Sequence, residues 1–237
     1  MDIKILHLYY DIMNLYGEYG NIKVLEKHLI DQGVNTFVDK KSIGDEIDFS
    51  SYDFIYIGAG TENNQLYVLE DLKKRKESLK EYIENGRYAL FTGNSYELLG
   101  KKVNDTEALN LFDFESKITD ERITSDVICT CDLIDSKIIG FINNMSTISN
   151  NDKPLFNVLK GGNTKEEGIK YKNTFGTHLI GPILFRNPKL LKYFVNNLCL
   201  SKDEKFIYKE IEYYEEEMSY KIALNELEER ENLSTRE

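Results

Sequence analysis

The chain has 237 residues and contains no tryptophan, only three histidines and only three cysteines. Cys129, Cys131 and Cys199 form an odd set without ligand-like spacing, which argues against a disulfide framework and a zinc site and fits a reducing compartment. No apolar run approaches the roughly 20 residues needed to span a bilayer. The opening, Met1-Asp2-Ile3-Lys4, sets charges into a short strand-like run, so no cleaved leader is expected. Positive charge is also short: 30 Lys and Arg stand against 41 Asp and Glu, a formal net charge of −11. Nucleic acid would be repelled by most of such a surface. A cytoplasmic chain with no nucleic-acid partner, no membrane span and no metal of its own is therefore expected. Hydrophobic residues nevertheless make up 41% and aromatics 12%, carried by 16 Tyr and 12 Phe, so a packed core is within reach.

The first half alternates short apolar runs with amphipathic stretches. Ile3 to Tyr9 reads as a strand, and Ile22 to Ile30 as a helix stopped by Gly33. Val34 to Val38 is a second strand, and Phe54 to Ile57 a third that enters Gly58-Ala59-Gly60. Leu66 to Ile83 reads as one amphipathic helix ended by Asn85-Gly86, and Tyr88 to Phe91 as a strand ending at Thr92-Gly93-Asn94-Ser95. This alternation predicts an α/β fold: a mostly parallel sheet with right-handed crossovers and helices on both faces. From Val127 to Asn143 short β runs predict an antiparallel extension. Asn187-Pro188 opens a helix through Leu198, and the segment from Lys202 is acidic and helix-prone. With no repeat and no low-complexity linker, residues 1–200 are expected to form one domain and residues 201–237 a helical extension beside it.

Ligands in open parallel sheets sit at the carboxyl ends of strands, which directs attention to two turns. The stretch from Ala89 to Gly100 has the layout of a nucleophile elbow, a strand that turns sharply into a helix. Acyl transfer needs Cys or Ser at the apex with a base in reach, yet the apex is Gly93. Thr92 and Ser95 flank it and are expected to cap the following helix. Gly58 and Gly60 are candidate donors of backbone N–H groups to an oxyanion. Among the histidines, His7 and His28 fall inside a strand and a helix, whereas His178 lies near a strand end, where a general base would stand. Arg122 is a candidate for bidentate binding of a carboxylate.

Several segments, in order, resemble one family. Leu8 to Ile22, LYYDIMNLYGEYGNI, is similar to LYPD-x-x-NLYGD-x-GNI, and Ile57 to Gln65, IGAGTENNQ, is similar to IGGGQDREQ. Ser95 to Lys101 matches GYQ-x-LGK, and Leu111 to Glu115 matches the strand that follows it. Ile138 to Asn144 is similar to IGFENH, and Tyr171 to Pro188 to YKN-x-x-GTY-x-HGPLLPKNP. These motifs belong to the GatD family, the glutaminase subunit of lipid II isoglutaminyl synthase and a relative of the CobB/CobQ amidotransferases. The resemblance implies a flavodoxin-like class I glutamine amidotransferase fold. It also implies a Mur-ligase-type (MurT-like) partner that carries ATP and Mg, and glutamine or glutamate as ligand.

Against the family's CGGYQ this chain has Gly93-Asn94-Ser95-Tyr96-Glu97, and against GTY-x-HGP it has Gly176-Thr177-His178-Leu179-Ile180-Gly181-Pro182. By that resemblance Gly93 stands at the nucleophile position and Ile180 at the base position. Substrate binding would fall to Arg122, Gly58, Gly60, Asn94 and Ser95, with His178 a fallback base. The first expectation is a glutaminase-deficient subunit that partners a ligase in amidating the D-glutamate of lipid II or a related acid. The alternatives are an amidotransferase with unorthodox catalytic groups and a non-catalytic module that binds an amino acid or carboxylate.

Overall fold

The inner strands of the first half are apolar on both faces because each side is covered by helices. In the computed structural model, which describes residues 1–234, β1 (Asp2–Leu8) sends Ile3 and Ile5 into one core and Leu6 and Leu8 into another. α1 (Tyr19–Asp31) places Ile22, Leu25 and Leu29 on the first core, and β2 (Asn35–Lys41) follows beside β1. β3 (Phe54–Ile57) alternates in the same way, Phe54 and Tyr56 against Ile55 and Ile57. α2 (Glu62–Lys73) and α3 (Lys76–Glu84) cover the second core with Val68, Leu69, Leu72, Leu79 and Ile83. β4 (Tyr88–Thr92) completes this half and is buried throughout.

The single helix expected over Leu66 to Ile83 is two helices. The chain leaves helical geometry at Arg75 (φ −116°, ψ 9°), whose guanidinium reaches back to Asp71 and to the Asp45 carbonyl oxygen. Side-chain hydrogen bonding thus compensates a break that amphipathic spacing alone does not register.

After β4 a 3-10 turn over Gly93–Leu99 leads into β5 (Lys102–Val103) and β6 (Thr106–Glu107). Then come β7 (Glu115–Thr130), β8 (Ile138–Ser149), β9 (Phe156–Gly161), β10 (Glu166–Glu167), β11 (Ile169–Tyr171) and β12 (Thr174–Thr177). α4 (Ile183–Arg186), α5 (Pro188–Lys202) and α6 (Tyr214–Glu229) close the described chain. The main sheet has the order β11-β12-β4-β3-β1-β2, parallel except for β11. Apart from β11, this is the doubly wound order in which the strand sequence reverses between β1 and β3. A second sheet runs β10-β9-β7-β5-β6, with β8 antiparallel on β7. β7 begins well before the Val127 expected from sequence, and its register slips between Ile118 and Ile123.

α6 rests on a small third core of Ile128, Ile139, Leu227 and Leu233. Its approach is held by the Tyr213 ring, stacked on His28 at 3.8 Å, and by Glu216 on His28 Nε2. Its final carbonyls, on Leu227 and Glu228, accept from Lys160 Nζ, which satisfies acceptors that no helical N–H reaches. No helix among the described residues is long and apolar enough to cross a membrane.

Phe194 is 1% exposed and packs edge-on to Phe54 and Phe175, whereas Ile222 is 60% exposed. Phe194→Ala is expected to cost about 3–5 kcal/mol in denaturant unfolding, and Ile222→Ala no more than about 0.5 kcal/mol.

Candidate functional site

β4 ends at Thr92, and the chain turns through Gly93 at φ +61°, a conformation that favours glycine. The turn is 3-10 where an α-helix start was expected, with every residue from Ser95 to Leu99 buried. Neither flanking hydroxyl caps it. Thr92 donates its hydroxyl to the Glu18 carboxylate, and Ser95 donates to the carbonyl oxygens of Ile57 (2.9 Å) and Thr92 (2.8 Å). The space in front of Gly93 is occupied: a β-carbon at this position would lie 2.5 Å from Ala59 Cβ and 3.2 Å from Ile180 Cγ2. The side chain of Asn94 turns back onto Gly60, accepting from its N–H and donating to its carbonyl oxygen, both at 3.0 Å.

Beneath the turn lies a fully enclosed carboxylate. Glu18 Oε2 accepts from the hydroxyls of Thr92 and Tyr56, and Oε1 accepts from the Gly181 N–H at 2.9 Å. One side chain therefore ties the residue before Gly93 to the residue after Ile180. Burial raises the Glu18 carboxyl to about 6, although these hydrogen bonds pull the other way.

A second buried cluster forms the floor. Glu97 Oε1 meets His178 Nε2 at 3.1 Å and accepts from Ser146, while Oε2 accepts from Ser116 (2.7 Å) and Gln65 (3.0 Å). On the other side of the ring, Nδ1 lies 3.6 Å from Glu167 Oε1, which also accepts the His178 N–H at 2.7 Å. Burial alone would discharge this imidazole. The hydrogen bond and charge of Glu97, with Glu167 opposite, instead raise it above its ordinary range. For Glu97 burial pushes upward but the His178 hydrogen bond and charge outweigh it, so its carboxyl ends below the usual range. For Glu167 burial dominates and the carboxyl ends above it.

Glu97, His178, Gln65 and Ser146 border a cavity of about 370 Å³ that also includes Tyr16, Gly60, Glu62, Gly93, Asn94, Arg122, Asn143 and Ile180. Arg122 stands at its edge on β7, with Nη1 on Asn143 Oδ1 (2.9 Å) and Nη2 on Glu62 Oε1 (3.3 Å). Of the residues expected to bind substrate, Arg122, Gly60 and Asn94 line this space, and Gly58 and Ser95 do not. Gly58 is pressed against the Met13 carbonyl oxygen, 2.5 Å from where a β-carbon would sit, so its glycine serves backbone packing. His178 lines the cavity, but both its nitrogens face carboxylates, and a protonated ring has no lone pair to accept a proton. Cys129, Cys131 and Cys199 are buried elsewhere, and burial raises each thiol, Cys199 to about 11. None of them lines the cavity.

Residues 4–188 match the model of the CobB/CobQ-like glutamine amidotransferase domain. The chain belongs to that family. Within it, the relatives are GatD proteins. The lipid II isoglutaminyl synthase (glutamine-hydrolyzing) subunit GatD of Staphylococcus aureus is 33% identical over 89% of this chain and 90% of its own length. The subunit of the same name from Streptococcus pneumoniae is 32% identical over 93% of this chain and 89% of its own. A solved glutamine amidotransferase structure from Thermotoga maritima shares the fold, with a TM-score of 0.50 at 10% identity, over 95% of this chain and 92% of that one.

Among GatD-type chains, two features of this site escaped sequence reasoning. Glu97 and His178 stand where the quoted motifs carry Gln and Tyr, and the pairing of those two differences was the available signal for the buried ion pair. Glu18 lies inside the NLYG-x-x-GN opening, but nothing local shows that it crosses under the elbow.

At pH 6 the ring of His178 is expected to be protonated and that of His7 neutral, because burial, with Lys40 nearby, lowers His7 to about 4. Imidazole nitrogen chemical shifts would read this, and a neutral His178 at pH 6 would refute the ion-pair assignment. The raised carboxyl of Glu18 has a defined sign. The folded state holds its proton more tightly, so that stabilisation is complete below about 4.5 and is lost as pH rises through about 6. Its size is about 2 kcal/mol, from roughly 1.4 kcal/mol per pH unit. The melting-temperature difference between wild type and Glu18→Gln should therefore shrink from pH 4.5 to 6; a flat difference would count against a buried, titrating Glu18.

Proposed function

We propose that this chain is the amidotransferase-type subunit of a two-protein amidating ligase, and that it has lost glutamine hydrolysis. The reading is carried by Gly93. The apex of the turn, where an acyl-transfer enzyme needs a thiol or hydroxyl, has no side chain, and the family's Cys and His positions are taken by Gly93 and Ile180. Without a thiolate no thioester forms, and without a base no proton moves to the leaving amine. Support also comes from His178, which is tied down by two carboxylates, and from the three thiols, all buried away from the cavity.

The partner of this proposal is a Mur-ligase-type protein that would hold ATP and Mg and use ammonia from solution or another donor. By analogy with the named GatD relatives, the acceptor is the D-glutamate of lipid II or a similar acid. The chain would then serve assembly and positioning. An amino acid or carboxylate held by Arg122 in the remaining cavity is compatible with that role.

Ammonia release from glutamine, measured with the chain alone and with a Mur-ligase-type protein of the same organism, tests the proposal. The expected result is release at the level of a heat-killed control in both cases, with the two proteins copurifying as one complex. Release above that control refutes the loss of hydrolysis, and failure of the two proteins to associate refutes the partnership.

A further inference from the structure

We infer that Ala59 and Asn94 complete the closing of this reaction centre, so that a working one cannot be restored at Gly93 and Ile180 alone. The inference rests on the reading of Gly93 and Ile180 as a silenced nucleophile and base.

A nucleophile at the elbow needs volume in front of the apex. Here that volume contains the Ala59 methyl group, 2.5 Å from the position of a β-carbon on Gly93, nearer than real β-carbons approach other carbons. Ala59 has little freedom to retreat. It is buried, and its carbonyl oxygen accepts the Leu15 N–H at 2.9 Å. The next residue, Gly60, is hemmed in by Met13 and the Ile12 carbonyl oxygen. In the quoted family loop, IGGG, the position of Ala59 is glycine, which leaves that volume empty.

Amide cleavage through a thioester also needs donors for the charge that collects on the carbonyl oxygen before the C–N bond breaks. Gly60 lines the cavity with Gly93, and its N–H is the candidate donor from this loop. The Asn94 amide already occupies it, accepting from Gly60 N–H and donating to Gly60 carbonyl oxygen in a closed pair at 3.0 Å each. In the quoted CGGYQ motif the position of Asn94 is also glycine, with no side chain to do this. Four positions thus act together: Gly93 and Ile180 lack the reacting groups, Ala59 fills the thiol's place, and Asn94 stands in for the oxyanion.

Two measurements on the full chain test the packing without any catalysis. Gly93→Ala lowers the melting temperature in any background because of its positive φ. With Ala59→Gly also present, that loss should be smaller by roughly 2–4 °C or more. Equal losses in the two backgrounds overturn the role of Ala59. Amide hydrogen exchange at Gly60 should accelerate at least about tenfold in Asn94→Ala, and unchanged protection overturns the role of Asn94. The third measurement is ammonia release from glutamine by the Gly93→Cys/Ile180→His variant, with and without Ala59→Gly and Asn94→Gly. The double variant is expected to be silent and the fourfold variant active, Asn94→Gly alone contributing about 10²–10³ in rate. No gain from the two added changes overturns the inference. Ammonia from wild type would instead refute the proposed loss of hydrolysis while leaving the melting and exchange results standing, so the two failures are distinguishable.

Discussion

His178 stands between Glu97, in the turn after β4, and Glu167, on β10 of the second sheet, and all three side chains are buried. A buried charge is costly unless it is paired and its remaining hydrogen-bonding positions are filled. Here they are filled by Ser116 from β7, Ser146 from β8, Gln65 from α2 and Thr177 from β12. Because the partners come from both sheets, the electrostatic demand of one imidazole fixes how the antiparallel extension sits on the parallel core. The cavity is the space left between them. Removing the ring would leave two buried carboxylates without their shared partner, which explains how a histidine can line the cavity and still serve structure.

Glu18 fixes the other wall. Its two oxygens bind the residue before the apex of the elbow and the residue after Ile180, so the separation of those two segments is set by one carboxylate. Such a clamp would suit an enzyme whose nucleophile and base must keep their distance. In the proposed reading it holds together a site whose reacting groups are absent. The scaffold of an acyl-transfer centre and the chemistry of one are therefore separable, and in the proposed reading only the scaffold remains.

The parallel core was legible in sequence because β1, β3 and β4 are apolar on both faces, a pattern that only a sheet covered on both sides requires, and because β3 and β4 run into glycine turns. The first half of β7 was not legible. Its Lys117, Asp120, Glu121 and Arg122 show no apolar alternation, yet they belong to a strand that β8 pairs on both sides of a register slip between Ile118 and Ile123. Arg122 and Gly60 were found beside the cavity because motif order places them there. Glu97 and Glu167 were not, because the partner of Glu97 lies 81 positions away and nothing local advertises it. Thr92 and Ser95 were expected to cap a helix, but tertiary partners claimed both hydroxyls.

The order of the main sheet has one further consequence. Its two outer strands are β2, which carries Asp39, Lys40 and Lys41, and β11, only three residues long. A free strand edge is a template for another chain, and charge or brevity blunts it. Neither edge here invites a stranger to add a strand, so the sheet stops growing at its own ends. A protein that docks at either end of this sheet must read its side chains and loops, where recognition is selective, and not its backbone, where adhesion would be indiscriminate.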